Sequence, residues 1–373
     1  MMAGLYFHIP YCRSKCSYCD FYSLVDPPIS LEAYVELMLR QIRQEGEAGG
    51  WGPFASVFFG GGTPSLLTPE AVSRLLGAAR NAFGFLPGVE ISLEVNPGTV
   101  TEVSLEGYRR AGVNRLSLGL QSFDDAALVT LGRRHTAAQG REAIAMARRA
   151  GFENLSGDWI FACSGQDEAT LWRECDAYLA LELEHLSCYS LTVEPDTPLA
   201  RQAPQLPDEE VCAELFLALD RWLTGAGYEH YEISNYARFG RRCRHNESYW
   251  RREAGLGIGA GAHSFVCAGW GERWAVPSDL VAFAATMRSE ESPRRIVEAF
   301  DRQGAMSESV YLALRTVDGV DFSTFSTQFG MTPEEVFAAL PEADRAPLRD
   351  GVSRWRMTPE QWLLYDHLIL PFL

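Results

Sequence analysis

Three cysteines near the start of the chain have the spacing of an iron-binding loop. Cys12, Cys16 and Cys19 form a C-x3-C-x2-C pattern directly after a short apolar segment. Thiolates are the protein ligands of iron–sulfur clusters. A cubane cluster has four irons, so three closely spaced cysteines leave its fourth iron open to an outside ligand. The pattern therefore predicts a [4Fe–4S] cluster that binds a further molecule at its open iron.

A structural zinc site is the alternative interpretation of the same cysteines. Such sites usually combine one C-x2-C pair with a second pair of ligands elsewhere in the chain. No second pair is visible, because the six remaining cysteines are isolated from one another: Cys163, Cys175, Cys188, Cys212, Cys243 and Cys267. The spacing favours the cluster, and a zinc-binding protein without redox chemistry stays open as an alternative.

A glycine-rich segment and four polar residues form a second group of candidates. Residues 60–64, GGGTP, follow an apolar segment, and glycines let a backbone come close to a ligand. No Gly-Lys-Ser/Thr follows, so the segment is not a phosphate-binding P-loop, and taken alone it is a tight turn. Four polar residues stand at or just past the ends of predicted strands: Glu94, Gln121, Arg133 and Asp158. Taken singly, each of them could equally be a surface or capping residue.

Strands and helices alternate along the part of the chain that carries these residues. Strands are predicted over residues 5–9, 55–59, 89–95, 115–120, 155–161 and 185–192. Helices are predicted over residues 31–47, 69–83, 101–111, 137–150, 168–181 and 208–226, with Ser30 and Thr68 as N-caps of the first two. Such alternation is typical of parallel βαβ units. Six units predict an α/β barrel or partial barrel, in which chemistry lies in the loops after the strands.

The patterns divide the chain into three parts. Residues 1–235 are predicted to form the core barrel, and residues 236–294 an extension of it that turns aromatic and glycine-rich. Residues 295–373 are predicted to form a small, mainly helical, winged-helix-like C-terminal domain. Its helices are expected over residues 306–315, 321–329 and 332–340.

Composition and charge exclude several classes of protein. The 373 residues carry a net charge of −16, from 49 acidic and 33 basic side chains, which argues against a nucleic-acid partner. No signal peptide and no apolar run long enough for a membrane span are visible. An odd number of cysteines in a chain of this length speaks against a disulfide framework. We therefore expect a cytoplasmic protein, for which a peripheral contact with a membrane stays open.

From Tyr6 to about His263 these motifs together resemble the radical S-adenosylmethionine (SAM) superfamily. Within it they are most similar to the coproporphyrinogen III dehydrogenase-like branch, and there to the HemW-type haem chaperones. The resemblance implies a partial (β/α)6 radical SAM barrel that holds a [4Fe–4S] cluster with SAM at its open iron. The residues that it implies for SAM are Tyr6, Tyr18, Gly61, Gly62, Thr63, Glu94, Gln121, Arg133, Asp158 and Thr192. One departure is the segment of residues 158–166, DWIFACSGQ, which follows the usual DLIYGLPGQ only in part.

Three features separate the haem chaperones from the oxygen-independent coproporphyrinogen oxidases. The first strand begins near residue 4, without the N-terminal extension of the oxidases. Phe21 stands where the oxidases carry a fourth cysteine. Residues 245–250, HNESYW, resemble an H-N-x-x-Y-W signature that is linked to haem in the chaperones. We refer to residues 245–250 as the HNxxYW segment.

The resemblance implies a chaperone that carries haem as cargo and delivers it to an acceptor protein. In that case His245 is the candidate iron ligand, Tyr249 and Trp250 cover the porphyrin, and Cys243 is a rival ligand. The same residues could instead be core aromatics and a supporting histidine. The alternative function is an anaerobic porphyrinogen decarboxylase that uses a 5′-deoxyadenosyl radical. Enzyme activity stays open at this point, and no catalytic residue is assigned.

Overall fold

Six parallel strands form the centre of the fold. The computed structural model describes residues 3–289 and 291–373. The six strands lie side by side in chain order: β1 (Ala3–Ile9), β2 (Phe54–Gly61), β3 (Phe85–Val95), β4 (Arg115–Gln121), β5 (Leu155–Phe161) and β6 (His185–Ser190). The helices of this part are α1 (Leu31–Ala48), α2 (Pro69–Phe83), α3 (Glu102–Ala111), α4 (Asp125–Thr130), α5 (Ala137–Arg149), α6 (Glu168–Leu179), α7 (Pro198–Gln202) and α8 (Glu209–Gly225).

Local signals in the sequence set the starts of the first helices as predicted. The side chain of Ser30 accepts a hydrogen bond from the backbone of Ala33 at the start of α1. Thr68 does the same for Ala71 in α2, whose first residue is Pro69. Caps of this kind satisfy backbone N–H groups that have no partner within the helix. The predicted alternation of strand and helix is therefore confirmed in the barrel.

Further strands extend the parallel sheet at both sides, and they bring the total to twelve. Beyond β6 lie β7 (Glu229–Glu232) and β8 (Asn235–Ala237), with β8 antiparallel to β6. The HNxxYW segment belongs to the short helix α9 (Arg244–Trp250). Beside β1 lies the parallel strand β9 (Gly255–Ile258), followed by β10 (His263–Val266), β11 (Glu272–Ala275), α10 (Leu280–Ser289) and β12 (Arg295–Ala299). The sheet is an open, partial barrel, with β12 and β7 at its two ends.

The strand β12 pairs with β11 and so carries the sheet across residues 294 and 295, where we expected one part of the chain to end. The C-terminal part then contains α11 (Arg302–Leu314), β13 (Val320–Asp321), α12 (Phe322–Phe329), α13 (Pro333–Val336), α14 (Glu342–Arg345), β14 (Arg354–Trp355), α15 (Pro359–Trp362) and α16 (Tyr365–Ile369). None of the helices within residues 3–289 and 291–373 has the length and apolar character needed to cross a membrane.

The C-terminal helices pack around their own core and are joined to the extension by a buried carboxylate. Trp355 is fully buried there, close to Phe322 and Phe372. Glu308 of α11 is 1% exposed and forms ion pairs with Arg252 and Arg273 of the extension. A buried charge is costly unless it is paired and hydrogen-bonded in this way.

The helix predicted over residues 332–340 is wrong in its second half, because α13 ends at Val336. Phe337 leaves helical geometry, with φ −103° and ψ 23°. Leu340 precedes Pro341, and a residue before proline is disfavoured in the α conformation.

Candidate functional site

The cysteine loop (residues 10–24) lies after β1. Backbone hydrogen bonds fix it internally and to two distant segments of the chain. The N–H of Cys12 donates to the carbonyl of Leu24 at 2.9 Å within the loop. The N–H of Ser17 donates to the carbonyl of Leu131 at 3.1 Å, and the carbonyl of Ser17 accepts from Leu199 at 2.8 Å. Contacts with residues so distant in the chain anchor the loop at Ser17, between Cys16 and Cys19.

Two of the thiols accept hydrogen bonds from residues outside the cysteine loop. The hydroxyl of Thr63 donates to the sulfur of Cys12 at 3.4 Å, and the guanidinium of Arg133 donates to Cys16 at 3.3 Å. Within residues 3–289 and 291–373 no group of three His, Cys, Asp or Glu side chains is arranged to hold a single metal ion. The three cysteines suit a cluster, which is larger than one ion, better than they suit zinc.

A cavity of about 400 Å³, the outer cavity, opens beneath the cysteine loop. It brings together residues that are far apart in the sequence, as the parallel strands of a barrel do at their carboxyl ends. Nearly all residues predicted for the cluster and for SAM line it: Cys12, Cys16, Tyr18, Cys19, Gly61, Gly62, Thr63, Glu94, Gln121, Arg133, Asp158 and Thr192. Tyr6 is the exception and lines a deeper space that is described below.

The placement of two of these residues differs from the expectation that they stand at strand ends. Glu94 and Gln121 do lie at the ends of β3 and β4. Asp158, however, lies in the middle of β5, and Arg133 follows the short helix α4 rather than a strand. Asp158 reaches the outer cavity because its side chain points into the barrel, where Ser117 of β4 donates a hydrogen bond to it at 3.0 Å.

Two buried polar atoms beside the outer cavity have no partner within the part of the chain that the structure describes. They are Oε1 of Gln121 and Nε of Arg133. Gln121 also has φ of 66°, a left-handed conformation that costs energy for a residue other than glycine. Buried polar groups are normally hydrogen-bonded, so both atoms suit a ligand with polar groups of its own. SAM has such groups in its amino, carboxylate and ribose moieties.

The glycine segment lets the backbone of β2 come close to the cavity. Gly61 has φ of 109°, which residues with a side chain rarely adopt, and a Cβ at Gly62 would lie 2.8 Å from the carbonyl oxygen of Tyr11. The N–H of Gly61 donates to the carboxylate of Glu94 at 3.2 Å. The segment is therefore more than a turn, because it forms one wall of the outer cavity and positions an acidic side chain.

Burial changes the acidity of the two carboxylates. Loss of contact with water raises the pKa of Glu94 to about 8, and the neighbouring charge of Asp158 adds to the effect. Burial likewise raises the pKa of Asp158 to about 6, although hydrogen bonding by Ser117 opposes it. Carboxyl groups of this kind bind a cationic ligand while giving up a proton.

A smaller inner cavity of about 200 Å³ lies deeper in the barrel, and it shares Glu94, Ser117, Asp158 and Tyr189 with the outer cavity. Its further lining includes Tyr6 and Arg115. Arg115 is 2% exposed, its Nε has no partner, and it forms no ion pair with any residue in the described ranges. Sequence analysis missed Arg115, Ser117 and Tyr189. The alternation of side chains along β4 and β6 was the only signal that could have placed them inside the barrel.

The HNxxYW segment does not assemble around one cavity. His245 is 2% exposed, and both of its ring nitrogens are engaged: Nδ1 lies 2.9 Å from the hydroxyl of Ser56 and Nε2 lies 3.0 Å from that of Tyr249. Burial lowers the pKa of His245 to about 3. Tyr249 faces the inner cavity, whereas Trp250 lines a different space between the extension and the C-terminal domain.

These positions do not fit either of the two alternative ligands expected for haem iron. His245 would have to break one of its two hydrogen bonds before it could bind iron. The rival ligand Cys243 is fully buried, and its sulfur lies 3.8 Å from a carboxylate oxygen of Glu90. Neither residue presents a free ligand atom to a cavity large enough for a porphyrin.

Comparison with known proteins agrees with this geometry. Residues 6–176 match the model of the radical SAM superfamily, and residues 300–364 match that of the HemN C-terminal domain. The chain is 33% identical to the heme chaperone HemW of Synechocystis sp., over 100% of this chain and 96% of the relative. It is 32% identical to HemW of Escherichia coli, over 99% of this chain and 98% of the relative.

The fold also matches a solved structure over the whole chain. Coproporphyrinogen III oxidase (HemN) from Escherichia coli superposes with a TM-score of 0.86 at 21% identity, over 100% of this chain and 90% of that one. At this identity the structural similarity shows a shared fold and says nothing about activity. The full-length similarity to the two HemW proteins goes further. The chain therefore belongs to the HemW family of the radical SAM superfamily.

Proposed function

We propose that this chain is a haem chaperone that binds a [4Fe–4S] cluster and SAM at the outer cavity and hands haem to an acceptor protein. The observation that carries the proposal is the outer cavity itself, where three thiols and unpartnered polar atoms meet in a chain whose relatives are heme chaperones.

The residues of the outer cavity have distinct tasks in this proposal. Cys12, Cys16 and Cys19 hold three irons, and the bound cluster supplies an open iron and one-electron chemistry. Arg133 already touches the loop through Cys16, so its free Nε can meet the carboxylate of SAM without rearrangement of the cluster ligands. Glu94 offers a carboxylate to the cationic part of SAM.

The experiment combines haem binding with haem transfer. Protein reconstituted with iron and sulfide without oxygen is titrated with haem, and apomyoglobin is then added as a model acceptor. We expect a Soret band on titration and its conversion to the myoglobin spectrum on transfer. Absence of haem binding would reject the chaperone function.

A second arm of the same experiment addresses the decarboxylase alternative. The reconstituted protein is incubated anaerobically with coproporphyrinogen III, SAM and a reductant. We expect no loss of propionate groups. Catalytic formation of protoporphyrinogen would show that the chain is an enzyme of porphyrin synthesis.

A further inference from the structure

A second cavity outside the SAM site, the interdomain cavity, lies between the extension and the C-terminal domain. Its volume is about 620 Å³, within the range of about 300–1,000 Å³ that is typical of small-molecule and cofactor sites. Trp250, Cys267 and Trp270 contribute to one wall, and Phe325 and Gln328 to the other. None of the residues that line it belongs to the predicted SAM site.

Flat aromatic side chains give this cavity its shape. Trp270 remains 40% exposed and stacks on Phe329, with ring centres 6.0 Å apart. Trp250 of the HNxxYW segment, which lines this space together with Glu247, lies beneath the guanidinium of Arg315 at 4.6 Å. The Nε1 of Trp250 is buried without a partner among the described residues. Tryptophan rings of this kind favour a flat aromatic ligand, against which they can stack.

The charges that line the cavity are balanced. Four arginines face four carboxylates: Arg242, Arg251, Arg252 and Arg354 against Glu247, Glu253, Asp318 and Asp321. The core of ferric haem with one thiolate ligand is also neutral, because three positive charges of iron meet two negative charges of the porphyrin and one of sulfur. The two propionates would remain at the rim, where Arg251 and Arg354 are 46% and 36% exposed.

The cavity contains one soft ligand for iron. Among the described residues that line it, only Cys267 has a sulfur atom, and none has an imidazole. Cys267 is exposed, and its sulfur accepts a hydrogen bond from the backbone of Ala254, which leaves further lone pairs for iron. Thiolates are established axial ligands of haem iron, and metal binding deprotonates a thiol.

We propose that haem binds in the interdomain cavity, between Trp250 and Trp270, with the sulfur of Cys267 as the axial ligand of its iron. The proposal rests on the proposed function, since it names the place where the chaperone holds its cargo. As the iron–sulfur bond forms, the thiol proton passes to solvent and the iron stays ferric. His245 then supports the barrel and does not bind haem.

Two pairs of variants test the site by haem titration, read from the Soret band. Cys267→Ser removes the ligand, and its control is Cys212→Ser on α8, outside the cavity. Trp270→Ala removes a wall, and its control is Trp172→Ala, a tryptophan that is 44% exposed on α6. We expect a loss of affinity of about tenfold or more in each cavity variant, and loss of the thiolate-type spectrum in Cys267→Ser. Both controls should match the wild type.

Each outcome is decisive when folding and iron content are checked by circular dichroism and iron analysis. Wild-type spectra and affinities in both Cys267→Ser and Trp270→Ala would overturn the site while the chaperone function stands. A changed Soret band in His245→Ala together with a normal one in Cys267→Ser would place haem at α9, and this result would also overturn the interdomain site. A wild-type protein that binds no haem would reject the site and the proposed function together.

Discussion

The raised pKa of Glu94 predicts that SAM binding is coupled to the release of a proton. In the protein without ligand the carboxyl group has a pKa of about 8. SAM brings a sulfonium and an ammonium group and binds more tightly to the ionised form. Roughly one carboxyl in a hundred is ionised at pH 6 and about half at pH 8, so the affinity for SAM should rise by up to about fiftyfold over this range, the limit for binding to the ionised form alone.

The assay is isothermal titration of anaerobically reconstituted protein with SAM at about pH 6, 7 and 8, in buffers with different enthalpies of ionisation. Glu94→Gln keeps the size and the hydrogen-bonding capacity of the side chain but cannot ionise. We expect this variant to lose most of the pH dependence and the proton release. The amino group of SAM titrates in both proteins, so the difference between the two profiles isolates Glu94. A flat wild-type profile, or the same slope in Glu94→Gln, would refute the reasoning.

The raised pKa of Glu94 also determines how the stability of the ligand-free protein changes with pH. A carboxyl group with a raised pKa is protonated in the folded protein at pH values where the unfolded chain is ionised. Its contribution to the stability of the ligand-free protein is therefore present at low pH and is lost as the pH rises through about 8. SAM should stabilise the protein most at the alkaline end of this range.

Four further predictions concern single side chains. Reconstituted wild-type protein should hold about four irons per chain and Cys16→Ala should not, as iron analysis will show; a full cluster in the variant would contradict the ligand assignment. Arg133→Ala should weaken SAM binding about tenfold or more without loss of iron, whereas the neighbouring Arg134→Ala should not; equal affinities would remove Arg133 from the site. His245→Ala should lower the free energy of unfolding by about 1–3 kcal/mol, and an unchanged denaturant midpoint would argue against its supporting role. Glu308→Gln should lower that free energy by about 3–5 kcal/mol, because Arg252 is then buried without its partner; denaturation at the wild-type midpoint would show that the ion pair is dispensable.

The sequence was informative wherever the signal is local. The cap at Thr68 and the proline that follows it act over a few residues and set the start of α2. The three closely spaced cysteines lie together at the outer cavity. Parallel strands then place their ends together whatever the details of packing. For this reason a set of residues spread from Tyr18 to Thr192 could be expected around one cavity.

Contacts that join distant parts of the chain were beyond the reach of these patterns. The hydroxyl of Ser56 meets His245, 189 residues later, and only that contact shows that the imidazole is engaged. Trp250 follows Tyr249 directly, yet the two side chains line different cavities, because successive residues of the short helix α9 point in different directions. The HNxxYW segment is therefore a single motif in the sequence, but its side chains line two separate cavities in the structure.

The unpaired guanidinium of Arg115 has a consequence for the ionic conditions under which SAM binds. Arg115 and Arg133 are buried cations that lie among buried carboxyl groups, of which Glu94 holds its proton near neutral pH. When SAM enters with a net charge of one, the departing proton keeps the total charge of the barrel interior constant. No sodium or chloride ion needs to leave or enter, and buried charges are little affected by screening. The affinity for SAM should therefore follow the pH closely and remain nearly constant from low to high salt.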